Sequence, residues 1–129
     1  MNIELKLLVL AGMFFCHIVD DYYLQGILAQ MKQRKYWQKY SYMYQNDYAI
    51  ALFEHAYSWA FVSSLPLLVC ALTGHGSITF LLVAYFINTI IHAQIDDTKA
   101  NLLKINLIQD QFLHFIQLVT TWALFMFVF

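Results

Sequence analysis

The sequence predicts an all-α fold, an integral membrane four-helix bundle with a short interfacial amphipathic helix, forming one membrane domain over residues 1–129. Three observations predict it. The chain is 61% hydrophobic and only 12% charged, so a soluble domain of this size would have to display much apolar surface to water. Four apolar stretches, at about residues 3–25, 47–72, 78–97 and 106–129, are each long enough to cross a hydrocarbon layer roughly 30 Å thick as a helix. Between the first two, residues 26–46 are basic and aromatic, the composition of a segment that lies among lipid headgroups.

The first stretch begins without a basic leader region or a small-residue cleavage site, so a retained helix is expected. Its uninterrupted apolar part, residues 7–16, is too short to span alone. The helix must therefore carry His17, Asp20, Asp21 and Gln25 at its inner end, although each charge costs a few kcal/mol at membrane depth. His17, Asp21 and Gln25 fall on one stripe at i, i+4 and i+8, with Asp20 beside it.

Residues 26–46 interleave Lys32, Arg34, Lys35 and Lys39 with Tyr36, Trp37, Tyr40, Tyr42 and Tyr44. They predict an interfacial anchor, and Arg34 and Lys35 are candidates for holding an anionic headgroup. The second span starts near Glu54-His55 and contains Trp59, Ser63, Ser64 and Pro66, a proline that removes one helical donor. His75, in the connection that follows, is expected to be an ordinary loop residue. In the third span Asn88, His92 and Asp96 share a face, followed by Asp97 and Lys99; in the fourth, Asp110, His114, Gln117 and Thr121 form one polar stripe.

Lysine and arginine occupy the first and third connections and are absent from the second, which places both basic connections in the cytoplasm and both termini outside. With neighbours running up and down, the four polar sets then arrive at the same cytoplasmic depth. A formal net charge of −1 with no concentrated basic face argues against nucleic acid as a partner and leaves membrane lipid. Cys16 and Cys70 lie in different apolar stretches, so neither a disulfide framework nor a cysteine-rich zinc site is expected.

A lone buried histidine is usually a packing residue that hydrogen-bonds between helices. Four histidines and at least four carboxylates at one level are expensive to bury unless a cation compensates them. His17, Asp21, His55, His92, Asp96, Asp110 and His114 are therefore candidate ligands of one or two divalent metal ions, with zinc favoured and manganese or iron as alternatives. Asp20, Glu54 and Asp97 are candidate general bases. No H-E-x-x-H motif is present, so the metal assignment rests on convergence.

The blocks His17 to Gln25 (H-x-x-x-D-x-x-L-Q), Glu54-His55, His92 to Lys99 (H-x-x-x-D-x-x-K) and Asp110 to His114 (D-Q-x-x-H) resemble, in order, those of a bacterial and phage membrane family catalogued as domain of unknown function 3307. The resemblance spans nearly the whole chain and implies a bacterial inner-membrane location but no activity. More remotely, the pattern is similar to membrane-bound metal-dependent hydrolases.

The leading functional expectation is a membrane-embedded metal-dependent hydrolase that cleaves a lipid-like ester, phosphoester or amide at the cytoplasmic leaflet. Gln25, Asn88, Lys99 and Gln111 are candidate substrate or oxyanion contacts, with Arg34 and Lys35 recruiting an anionic head. Two alternatives remain open: a cation or proton transporter using the same cluster, and a non-catalytic phage or bacterial membrane protein with a structural metal. Four spans make a thin core, so a homo-oligomer is a further expected partner state.

Overall fold

The computed structural model describes all residues from Met1 to Phe129, and every regular element is helical. Helix α1 (Ile3–Ile18) is capped by the Asn2 side chain, which accepts from the Leu5 N–H at 2.9 Å. It runs without interruption into a π-helical segment, Val19–Leu24, marked by the Gln25 N–H reaching back five residues to the Asp20 carbonyl at 3.2 Å. Short helices α2 (Leu28–Met31) and α3 (Arg34–Trp37) and a 3₁₀ turn (Tyr42–Tyr44) lead to α4 (Tyr48–Leu72). Helices α5 (Ile78–Ala100) and α6 (Leu107–Phe127) complete the chain. Asn106 and Gln109 start α6 with a reciprocal capping box.

Helix α4 is the hub, packed most extensively on α5 and then on α1, while α6 closes the bundle against α5 and α1. Gly12 lets α1 approach α4: a Cβ there would lie 3.3 Å from Cγ of Pro66. Met13, Trp59, Leu67, Leu118, Trp122 and Phe125 form the apolar core on one side of the polar centre.

The segment between α1 and α4 is not the single amphipathic helix expected from its composition. It is broken into two four-residue helices and a 3₁₀ turn. Gly26, at φ 52°, ends the π segment in the left-handed region. The Trp37 indole N–H then donates to the Met31 carbonyl at 2.7 Å, and the Gln45 amide donates to the Trp37 and Tyr40 carbonyls. These local bonds satisfy the backbone in turns, where a continuous helix would have used its own ladder. Asn101, at the end of α5, donates to the Lys32 carbonyl (3.0 Å) and accepts from the Arg34 N–H (2.7 Å), which ties the segment down over the bundle.

The interior is rich in polar groups and the exterior in apolar ones. Of 29 buried residues, 15 are polar or charged, while Phe15, Phe53, Phe61, Val69, Leu82, Phe86, Ile90 and Phe112 are exposed. Two helical stretches, Tyr42–Leu72 and α5, are long and apolar enough to cross a membrane. Helix α1 keeps α geometry for 16 residues before the π segment.

Candidate metal centre

The centre is built where the end of α1, the start of α4, the end of α5 and the start of α6 meet. The π segment carries the Asp20-Asp21 doublet, and both members lie inside, at 0% and 6% exposure. At the other doublet, on α5, Asp96 is buried and Asp97 is half-buried.

Two groups of ligand-type atoms result. In the first, donor atoms of Asp21, His55, His92 and Asp96 all lie within 4.8 Å of one another. Nε2 of His55 is 3.1 Å from Nε2 of His92, 3.2 Å from Oδ2 of Asp96 and 3.4 Å from Oδ1 of Asp21; Nε2 of His92 is 3.8 Å from the same Asp96 oxygen. Metal–ligand bonds of about 2.0–2.1 Å in a tetrahedron separate the ligand atoms by roughly 3.3 Å, so these edges fit a small divalent ion. In the second group, Nε2 of His114 is 3.4 Å from Oδ1 of Asp96 and 3.5 Å from Oδ1 of Asp110. All three of these atoms are buried and without a hydrogen-bond partner.

Two lysines enter from outside the groups. Lys32, 6% exposed, sits 2.5 Å from Oδ2 of Asp96, and Lys99 sits 2.6 Å from Oδ2 of Asp110. The buried carboxylates of Asp96 and Asp110 each meet one ammonium group, which leaves those of Asp20 and Asp21 as two negative charges over when the histidines are neutral. A single divalent cation matches that remainder, and burying the charges without one is costly.

A hydrogen-bonded chain behind the ligands orients them. The Trp59 indole N–H donates to Nδ1 of His17 at 2.7 Å; because an indole can only donate, His17 is neutral and carries its proton on Nε2. That proton goes to Oε1 of Gln111 at 3.0 Å, which turns the Gln111 amide nitrogen toward Oδ2 of Asp21 (3.0 Å) and Oδ2 of Asp110 (3.1 Å). Trp59 also stacks on His92, ring centroids 4.1 Å apart, and His92 stacks on His114 at 4.2 Å. Since Trp59 belongs to the apolar core as well, it forms the wall between core and centre.

The remaining expected site residues divide. His17 does not join either group, since both its nitrogens are engaged by Trp59 and Gln111. Asp20 is fully buried; its Oδ1 accepts from Ser58 at 2.7 Å and its Oδ2 is unpartnered. Glu54 is exposed, and Asp97 accepts from Asn101 at 2.7 Å, so neither candidate base faces the groups. Gln25 donates to the Asp21 carbonyl. Arg34 and Lys35 are exposed, Arg34 lying over the Tyr48 ring. Asn88 belongs to a separate interhelical clasp, donating to Thr121 (2.9 Å) and accepting from Gln117 (2.9 Å).

Lys32, Trp59 and Ser58 are the contributors that the residue pattern did not single out. For Trp59 and Ser58 a signal existed: they stand at i+4 and i+3 from His55 and therefore share its face. Lys32 had none, being one of several cations in a basic run. Comparison with protein-family models, with curated proteins and with solved structures finds no match for this chain.

Proposed function

We propose that this chain is a membrane-embedded metal-dependent hydrolase acting on a lipid-like ester, phosphoester or amide at the cytoplasmic leaflet. The observation that carries the reading is the convergence of the Asp21, His55, His92 and Asp96 donor atoms from three separate segments, buried and at metal-ligand spacing. The exterior supports the membrane part: phenylalanine, leucine and isoleucine face outward along all four long helices, and the polar groups face in. In this reading the four helices form an integral bundle in a bacterial inner membrane, the termini lie outside, and kinship with domain of unknown function 3307 rests on the four ordered sequence blocks.

A divalent ion held at the centre that these donors form with the adjoining Asp110 and His114, zinc first and manganese or iron next, would supply a water of lowered pKa and a Lewis acid for the scissile group. The chain's own residues do the rest. Asp20, with Oδ2 free and adjoining Asp21, would accept the proton of the attacking water as the water oxygen bonds to the acyl or phosphoryl atom, and would return that proton to the leaving oxygen or nitrogen as its bond breaks. Gln111, held by His17, reaches both the ligand carboxylates and a cleft of ≈ 220 Å³ between α1 and α6, lined by Phe14, His17, Ile18, Gln111 and Phe115. That cleft gives an apolar substrate an approach from the side.

The transporter reading is less well supported. A polar route onward from the centre could begin at Ser63, Ser64, Gln117 and Thr121, but it then meets Leu67, Trp122 and Phe125 of the apolar core. The test is direct. Purified protein loaded with zinc is incubated with bacterial lipid extract, and in parallel reconstituted into liposomes for ion flux. New lipid products that disappear in His92→Ala support the hydrolase; metal-dependent flux without products reverses the assignment.

A further inference from the structure

We propose that the centre is dinuclear, with Asp96 as the bridging carboxylate, and that the Asp96–Asp110–His114 group is the half that takes the anionic oxygen of a phosphoester. The phosphoester assignment rests on the hydrolase reading, whereas the number of metal ions is independent of it.

Asp96 is the residue common to both groups, and it serves them with different atoms. Oδ2 faces His55 at 3.2 Å and His92 at 3.8 Å, whereas Oδ1 faces His114 at 3.4 Å. A carboxylate whose two oxygens look toward two separate sets of donors is how helical bundles hold a pair of metals. Were the first group alone to bind an ion, Oδ1 of Asp96, Oδ1 of Asp110 and Nε2 of His114 would remain buried together with no hydrogen-bond partner, the histidine nitrogen standing 3.4 and 3.5 Å from the two oxygens. Orphaned buried polar atoms are rare because each costs about 1–3 kcal/mol, and here three point at one place. Lys99 and Gln111 occupy the other oxygen of Asp110, at 2.6 and 3.1 Å, so its Oδ1 is held toward His114.

The two halves differ in a way that assigns their roles. The first has four protein donors, the full complement of a tetrahedral ion; the second has three, which leaves one position open, as in catalytic zinc sites. Charge then selects the ligand class. Four buried carboxylates, Lys32 and Lys99 leave two negative charges, so a second divalent ion turns the centre net positive by two. A neutral ester or amide leaves that excess buried. A phosphoester brings negative oxygens to it, and paired ions a few ångströms apart suit the in-line displacement of a phosphoryl group.

The test uses the full chain in detergent or nanodiscs, with metal content by elemental analysis, electron paramagnetic resonance of the manganese-loaded protein, and binding of inorganic phosphate. Expected are two equivalents of metal in the wild type, one in Asp110→Asn and in His114→Ala, and one in His55→Ala. The wild-type manganese spectrum is exchange-coupled, and Asp110→Asn converts it to the spectrum of an isolated ion; inorganic phosphate binds the two-metal protein and not Asp110→Asn. If His114→Ala fails to fold, Asp110→Asn and the wild-type spectrum still decide. One equivalent in the wild type overturns the proposal and leaves the single-metal hydrolase standing; none overturns both. Two equivalents without phosphate binding overturns the phosphoester assignment.

Discussion

Lys32 and Asp96, 64 positions apart in the chain, meet as a buried ion pair with Nζ 2.5 Å from Oδ2. The ammonium arrives from the segment between α1 and α4, held over the bundle by Asn101, and takes one oxygen of the carboxylate that both ligand groups share. Removing one member of a buried pair costs about 3–5 kcal/mol because the other charge is left uncompensated. Lys32→Met should therefore lower the unfolding free energy by about that amount in metal-free protein, and by less when zinc saturates the site, since the cation then faces Asp96. Unfolding in detergent with and without zinc measures both; an equal loss in the two conditions would mean that Lys32 and the metal act on different groups.

Gln111 is the joint through which His17 acts on the ligands. Replacing it by leucine removes the donor to Asp21 and Asp110 and the acceptor for His17 without removing any atom of the two groups. Partners of this kind are worth about 10–100-fold in metal affinity. Gln111→Leu should bind zinc that much more weakly, by chelator competition, while His92→Ala should lose the ion of its group.

Glu54 and Asp97 test the boundary of the centre. Both stand next to a ligand in sequence, yet one is exposed and the other holds Asn101. Glu54→Gln and Asp97→Asn should retain the metal content of the wild type by elemental analysis, in contrast to Asp21→Asn and Asp96→Asn, which should lose metal.

The clasp of Asn88, Gln117 and Thr121 joins α5 to α6 away from the ligands. Asn88→Leu leaves the Gln117 amide with only the Asn88 backbone carbonyl, at 2.8 Å, as partner. The expected loss is about 0.6–2 kcal/mol of stability, the range for hydrogen bonds between membrane helices, with metal content unchanged.

Much of the fold was legible because apolar length and polar punctuation are strong signals. The long helices begin and end within a few residues of the expected boundaries, and the His-x-x-x-Asp and Asp-x-x-x-His spacings identified Asp21, His92, Asp96, Asp110 and His114 as sharing helix faces. Membrane crossing was legible only in part, since two helical stretches meet the length and apolarity of a span. What could not be read were events that break a regular period or bring distant segments together. A π segment carries Asp20 and Asp21, and no residue spacing announces its change of turn. The partner of His17 is an indole from α4, so its ring was spent before it could ligate. Lys32 differs from its basic neighbours only in where the turns of residues 26–46 deliver it.

Because its donors come from four segments spread between Asp21 and His114, the centre is incomplete until α6 has joined the other three helices. A chain halted during synthesis before that point carries Asp96 at the end of α5 with its oxygen Oδ1 facing nothing, and Asp21 without the glutamine that steadies it. Such an intermediate is marked by stranded charge, which the last helix closes over.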